Sequence, residues 1–255
     1  MDSFDSQPQK TYHFVPSYDY DPNPSEAYDY NIISPVVQSH LKKVYATLCF
    51  AVLVSALGAY LHIIWNIGGV ITTLTTLFFI NTISSVTLGE DADGAKVVLL
   101  MIAALFQGAS IGPAIKLAIN INPSILVSAF VGTAIAFACF SVSAMLARRR
   151  QHLYLGGLLS SGVSILLWVY FASSIIGESL SFKIQLYFGL LVFVGYVVFD
   201  TQFIIEMAHL GDLDFAGHAL RLYTDFIAVF IRILVIMLKN EDDREAERRR
   251  RRRRE

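Results

Sequence analysis

Residues 184–205 read IQLYFGLLVFVGYVVFDTQFII, and the only charged side chain in that run is Asp200. A helix needs about 20 apolar residues to cross the hydrocarbon core of a bilayer, so the run is long enough to span. An ionised Asp at the centre of such a helix costs about 2.5–3.5 kcal/mol. An acid at that depth is therefore a candidate for handling protons or ions. The next apolar stretch, FAGHALRLYTDFIAVFIRILVIML at 215–238, carries a second acid, Asp225. Two acids on consecutive helices can face each other.

Working outward, the same pattern repeats. Apolar segments fall near 41–63, 68–88, 96–118, 124–147, 152–176, 184–206 and 215–238. The chain has 255 residues, 55% of them hydrophobic, and a mean hydropathy of +0.53. Lipid cannot satisfy free backbone groups, and these runs are too long for barrel strands, so each span must be helical. The connectors WNIGG, LGEDADG, ININ, RRRQH, GESLS and HLGDLD are short, which predicts antiparallel neighbours. The expected fold is an all-α integral membrane protein, a bundle of seven membrane helices, the last either crossing or entering and returning.

Three regions are expected: a disordered tail at 1–38 rich in Tyr, Asp, Pro and Ser, a membrane domain at 39–238, and an arginine-rich tail at 239–255. A run of like charges usually reads as a solvated, disordered tail. The N-terminus is polar and acidic, so no cleavable signal peptide is expected. Cys49 and Cys139 lie in apolar runs and read as buried small hydrophobes. Gly108 and Gly112 form a GxxxG, best explained by ordinary packing within the bundle.

Charge sets the sidedness. If the seventh segment returns, Lys and Arg divide 16 against 2 in favour of a cytosolic N-terminus and a cytosolic tail; if it spans, the division is 7 inside against 11 outside. The positive-inside rule favours the first arrangement.

The seventh segment carries a polar stripe. At 100° per residue, Asp214, His218, Arg221, Asp225 and Arg232 fall within about 60° of one another. The bland reading is an inward stripe neutralised by an i, i+4 pair between Arg221 and Asp225. The functional reading is a polar path whose gate is Asp200 and Asp225, with Arg221, Arg232, Asp214 and His218 as charge partners. Two adjacent carboxylates cannot both ionise cheaply, so they share a proton. Ionised, they repel, and they offer oxygen ligands of the kind a hard cation such as calcium prefers, as a transient site.

Several segments together carry a family resemblance: HLKKVYATL (40–48), GPAIKLAININPSILVSAFVGTA (112–134), CFSVSAMLARRR (139–150), GYVVFDTQFIIE (195–206), HLGDLDF (209–215) and DFIAVFIRILVIMLKN (225–240). The chain resembles the Bax inhibitor-1 family, its plant branch in particular. The resemblance implies a seven-helix protein of the endoplasmic reticulum membrane that suppresses programmed cell death and leaks calcium in a pH-dependent way. It maps the family's proton-sharing pair onto Asp200 and Asp225, and implies a cytosolic basic tail. Bacterial relatives latch one aspartate with a second-helix arginine, whereas residues 68–88 here contain no basic residue.

The expected partners are membrane lipids, calmodulin at the C-terminal tail, and cell-death regulators in the membrane. Arg248, Arg249, Arg250, Arg251, Arg252, Arg253 and Arg254 are the tail's interaction residues. No nucleic-acid partner and no cofactor are expected, and calcium enters only as the transported ion. The acidic cluster Glu90, Asp91 and Asp93 lacks the spacing and closing Glu of a calcium loop and reads as a solvated connector. No phosphate loop or HExxH motif occurs, so no enzyme is expected. The alternative to a channel is a membrane-embedded interaction protein that acts on cell death without conducting ions.

Overall fold

The computed structural model describes residues 34–85, 93–146, 152–176 and 179–253. They form seven α-helices: α1 (Pro35–Trp65), α2 (Val70–Ser85), α3 (Asp93–Ile121), α4 (Pro123–Leu146), α5 (His152–Ile176), α6 (Ser179–His209) and α7 (Phe215–Arg252), with no strand among the described residues. The N-terminal tail up to residue 33, Glu90, Asp91, Arg148 to Arg150 and Arg254 lie outside the described residues. Asp93 opens α3.

The local chemistry sets the ends. Ser34 caps α1 by accepting from the Val37 N–H, and Pro35 follows at the first turn, where its missing N–H is harmless. The helix therefore begins within the stretch expected to be a tail. It stops at Asn66, which adopts the left-handed conformation at φ 53°. Between α6 and α7 the chain reverses through Gly211 at φ 93°, a conformation glycine adopts without steric cost.

The contacts give each helix its direction. Ser55 and His62 of α1 pack on Gly108 and Gly112 of α3 in ascending order, so α1 and α3 run parallel. Thr73 bonds Ser110 and Phe79 stacks on Phe106, so α2 runs antiparallel to α3 along its flank. Phe130 meets Phe226 and Phe230 while Phe137 meets Phe226, which sets α4 against α7. Gly156 meets Phe199 and Gly162 meets Val192, which makes α5 antiparallel to α6. Phe193 lies under Arg232 and Phe182 under Lys239, which makes α6 antiparallel to α7. His40 meets His218 near the starts of α1 and α7, and Ala59 clusters with Phe230 and Leu234 further along both. α1, α3, α5 and α7 thus point one way and α2, α4 and α6 the other.

This alternation corrects two expectations. α7 is one unbroken helix of 38 residues and does not turn back. It runs along α6 without a turn, so the start of α1 and the end of α7 lie at opposite ends of the bundle. The helix also continues through the arginine run as far as Arg252 instead of ending in disorder. Glu241 pairs with Arg244 and Glu245 with Arg249 at helical spacing, which offsets the repulsion among like charges.

The core consists largely of α7 and the faces turned toward it. Val44, Leu100, Ile204, Leu222 and Val229 are fully buried. Outward faces are apolar as well: Leu146, Tyr154 and Trp168 are all largely exposed. In a bilayer those faces meet lipid, the arrangement expected of a multi-pass membrane protein. Cys49 and Cys139 are exposed free thiols on this outer surface. Their apolar surroundings in the sequence are lipid-facing helix flanks, not the core. The GxxxG packs inside the bundle, where a Cβ at Gly108 would collide with the Ser55 carbonyl oxygen.

Candidate functional site: a carboxylate pair between α6 and α7

Asp200 sits nine residues before the end of α6 and Asp225 about 15 Å along α7 from Phe215. Antiparallel packing brings them level. Their carboxyl groups adjoin, and they are only 6% and 5% exposed. Among the described residues no N–H or O–H donates to Asp225 Oδ2. A proton carried by the pair itself is thus the natural donor between the two carboxyl groups.

Arg221 is the nearest cation. Its Nη1 lies 3.7 Å from Asp200 Oδ1, and its guanidinium stacks over Phe203 at 4.6 Å. The expected i, i+4 pair with Asp225 is replaced by this contact across helices. Asp200 faces both Arg221 and Asp225, which stand one turn apart on α7. The Arg221 side chain is half exposed, whereas Asp200 is buried.

The rest of the stripe goes elsewhere. His218 and His40 share a hydrogen bond of 2.9 Å between α7 and α1, with the rings edge to face. Asp212 lies 4.0 Å from the other His218 nitrogen. Asp214 caps α7 by accepting from the Gly217 N–H at 3.0 Å and accepts from Lys96 Nζ of α3 at 2.6 Å. Burial works against the charge of Asp214, but Lys96 and the Gly217 N–H outweigh it, and the carboxyl is held below its ordinary range. Arg232 donates to the Ala228 carbonyl at 2.9 Å and lies over Phe193 at 4.0 Å. It packs on Gly189 and makes no ion pair among the described residues. One stripe is thus fastened to three different helices, and only Arg221 joins the carboxylate pair.

The sequence reading missed His40 and Lys96 as partners. His40 opens a segment whose apolar period is the stronger signal, and Lys96 stands at the start of another, with no local pattern linking either to α7. Arg248 to Arg253 are exposed on the α7 extension.

The fold and the pair define a class: a multi-pass α-helical membrane protein whose central helix holds an acid buried against an acid of its neighbour. Residues 37–242 match the family described as Inhibitor of apoptosis-promoting Bax1. The chain belongs to that family, whose members suppress cell death. It is 57% identical over 238 residues to Bax inhibitor 1 of Arabidopsis thaliana, covering 93% of this chain and 92% of that one. It is 60% identical over 209 residues to Bax inhibitor 1 of Oryza sativa subsp. japonica, covering 82% and 83%. Identity to Bax inhibitor 1 of Homo sapiens is 40% over 211 residues, covering 82% and 89%.

Proposed function

We propose that this protein suppresses programmed cell death from the endoplasmic reticulum membrane and acts there as a pH-sensitive calcium leak gated by Asp200 and Asp225. The observation that supports it best is the contact between two acids, each about 95% buried, from neighbouring membrane helices. Protonated, the pair bridges α6 and α7. Doubly ionised, it repels, drives the helices apart and attracts a cation. Calcium takes six to eight oxygens, more than two carboxylates supply. Among the described residues no group of three or more His, Cys, Asp or Glu converges to hold a metal. The pair suits a passing ion, with no resident one. No reaction on a substrate is proposed.

The exposed arginines of α7 supply a second element. A basic helix leaving the membrane suits anionic lipid or an acidic partner such as calmodulin. The Arg221–Asp200 contact favours a second reading, in which the pair is neutralised structurally and the protein acts on cell-death regulators through binding alone. Calcium efflux from vesicles holding only this protein separates the two, because the second reading allows none.

A further inference from the structure

Two apolar cavities lie side by side on the outer flank of the bundle, between α1 and α4, with α7 as their floor and α3 closing the first of them. They measure about 400 and 520 Å³ and share Val52, Phe130 and Phe226 as lining, so they form one groove. Along α1 the groove runs from Tyr45 to Ile63. That is about 27 Å of helix, close to the roughly 30 Å thickness of the hydrocarbon core. Cavities of this volume are in the range that holds small organic ligands, and this one opens where the solvent is lipid.

Two further observations say what fills it. Lys42 continues the groove stripe of α1: Lys42, Tyr45, Val52, Ala56 and Ile63 fall within about 80° at 100° per residue. It is exposed, so a cation stands at the mouth of the groove. Ser141 lines the groove five residues before the end of α4, is 3% exposed, and its Oγ has no hydrogen-bond partner. Thr133 on the same helix satisfies itself by donating to the Ala129 carbonyl. Ser141 does not, and its hydroxyl can turn between staggered positions to meet a carbonyl in the groove. Its depth, about 7.5 Å below the helix end, is where the ester carbonyls of a lipid lie if its phosphate rests at Lys42.

We infer that the groove between α1 and α4 binds one acyl chain of an anionic glycerophospholipid, with the phosphate on Lys42 and an ester carbonyl on Ser141. This is a site distinct from the carboxylate pair, and it does not depend on ion conduction.

The test uses the full chain in phosphatidylcholine vesicles containing a phosphatidylserine with a photoreactive diazirine in one acyl chain. Peptides of α1 and α4 that line the groove should take up at least five times the label of peptides from α5, which faces lipid equally. A phosphatidylcholine carrying the same diazirine should label the groove several-fold less. Ala134→Leu with Ala138→Leu fills the groove from its lipid-facing wall and should abolish the excess, whereas Ser164→Leu on α5 should leave it unchanged. Lys42→Gln should remove the preference for phosphatidylserine. Equal labelling of α4 and α5 in the unsubstituted protein overturns the proposal whether or not any variant folds. So does equal labelling by the two lipids. Oxidative crosslinking of two copies through Cys49 in the same vesicles, with loss of groove labelling, would assign the groove to a second copy and also contradict it.

Discussion

Arg221 on α7 reaches past its own helix to Asp200 on α6, with 3.7 Å between Nη1 and Oδ1. A cation beside a carboxylate favours the ionised form. On the gating account, Arg221→Gln lets the pair hold its proton to higher pH, and the midpoint of calcium efflux moves upward. Arg221→Lys keeps the charge and should move it less. Efflux from reconstituted vesicles, followed against pH, checks this; a midpoint unchanged in Arg221→Gln separates Arg221 from the gate.

The Lys96–Asp214 pair ties the start of α3 to the start of α7. Asp214 also caps α7, a role worth about 1 kcal/mol, and its removal leaves Lys96 largely buried and unpaired. Asp214→Ala should therefore destabilise by at least about 1 kcal/mol, and Lys96→Met by less. The folded-state carboxyl is held below its ordinary range. Its contribution is thus full above the unfolded value of about 3.9 and fades as pH falls through the lower folded value. Thermal unfolding in detergent should show the Asp214→Ala deficit at pH 7 and a smaller deficit below about pH 4.

Backbone contact between α1 and α3 leaves no room for a side chain at Gly108. Overpacking costs about 1–3 kcal/mol even where neighbours can move, and here the neighbour is the Ser55 carbonyl. Gly108→Leu should lower the unfolding temperature or prevent accumulation. Gly132→Leu, where a Cβ meets nothing within 4 Å, should be tolerated. Comparable behaviour of the two variants would contradict the close approach.

The alternation of seven helices sets the two termini of the membrane domain on opposite faces. A glycosylation sequon placed before Ser34 and one placed after Asn240 should therefore give opposite results in microsomes, one modified and the other not. Modification of both, or of neither, would contradict the crossing of α7.

Length and apolar character made the helices legible, and five of the seven are long and apolar enough to cross a bilayer, which imposes a minimum span and forbids unpaired backbone. The two acids stood out for the same reason, as Asp200 and Asp225 interrupt runs that otherwise hold no acid at such depth. What joins them to the rest was not legible. The i, i+4 rule sees only one helix, so it assigned Arg221 to Asp225, and antiparallel packing gave it to Asp200. His40 and His218 are 178 residues apart, and no local pattern links them. The end of α7 misled in the opposite direction. Seven arginines read as a solvated coil, but Glu241 and Glu245, one turn ahead of Arg244 and Arg249, carry the helix onward.

The central claim is that Asp200 and Asp225 act as one titrating gate. Calcium efflux from vesicles containing the purified protein should rise as pH increases through the titration of the pair. Asp200→Asn or Asp225→Asn should each flatten that dependence, since neither variant can reach the doubly ionised state. If both Asn variants keep the parent's flux and pH profile, the pair is structural, and suppression of cell death rests on partner binding instead.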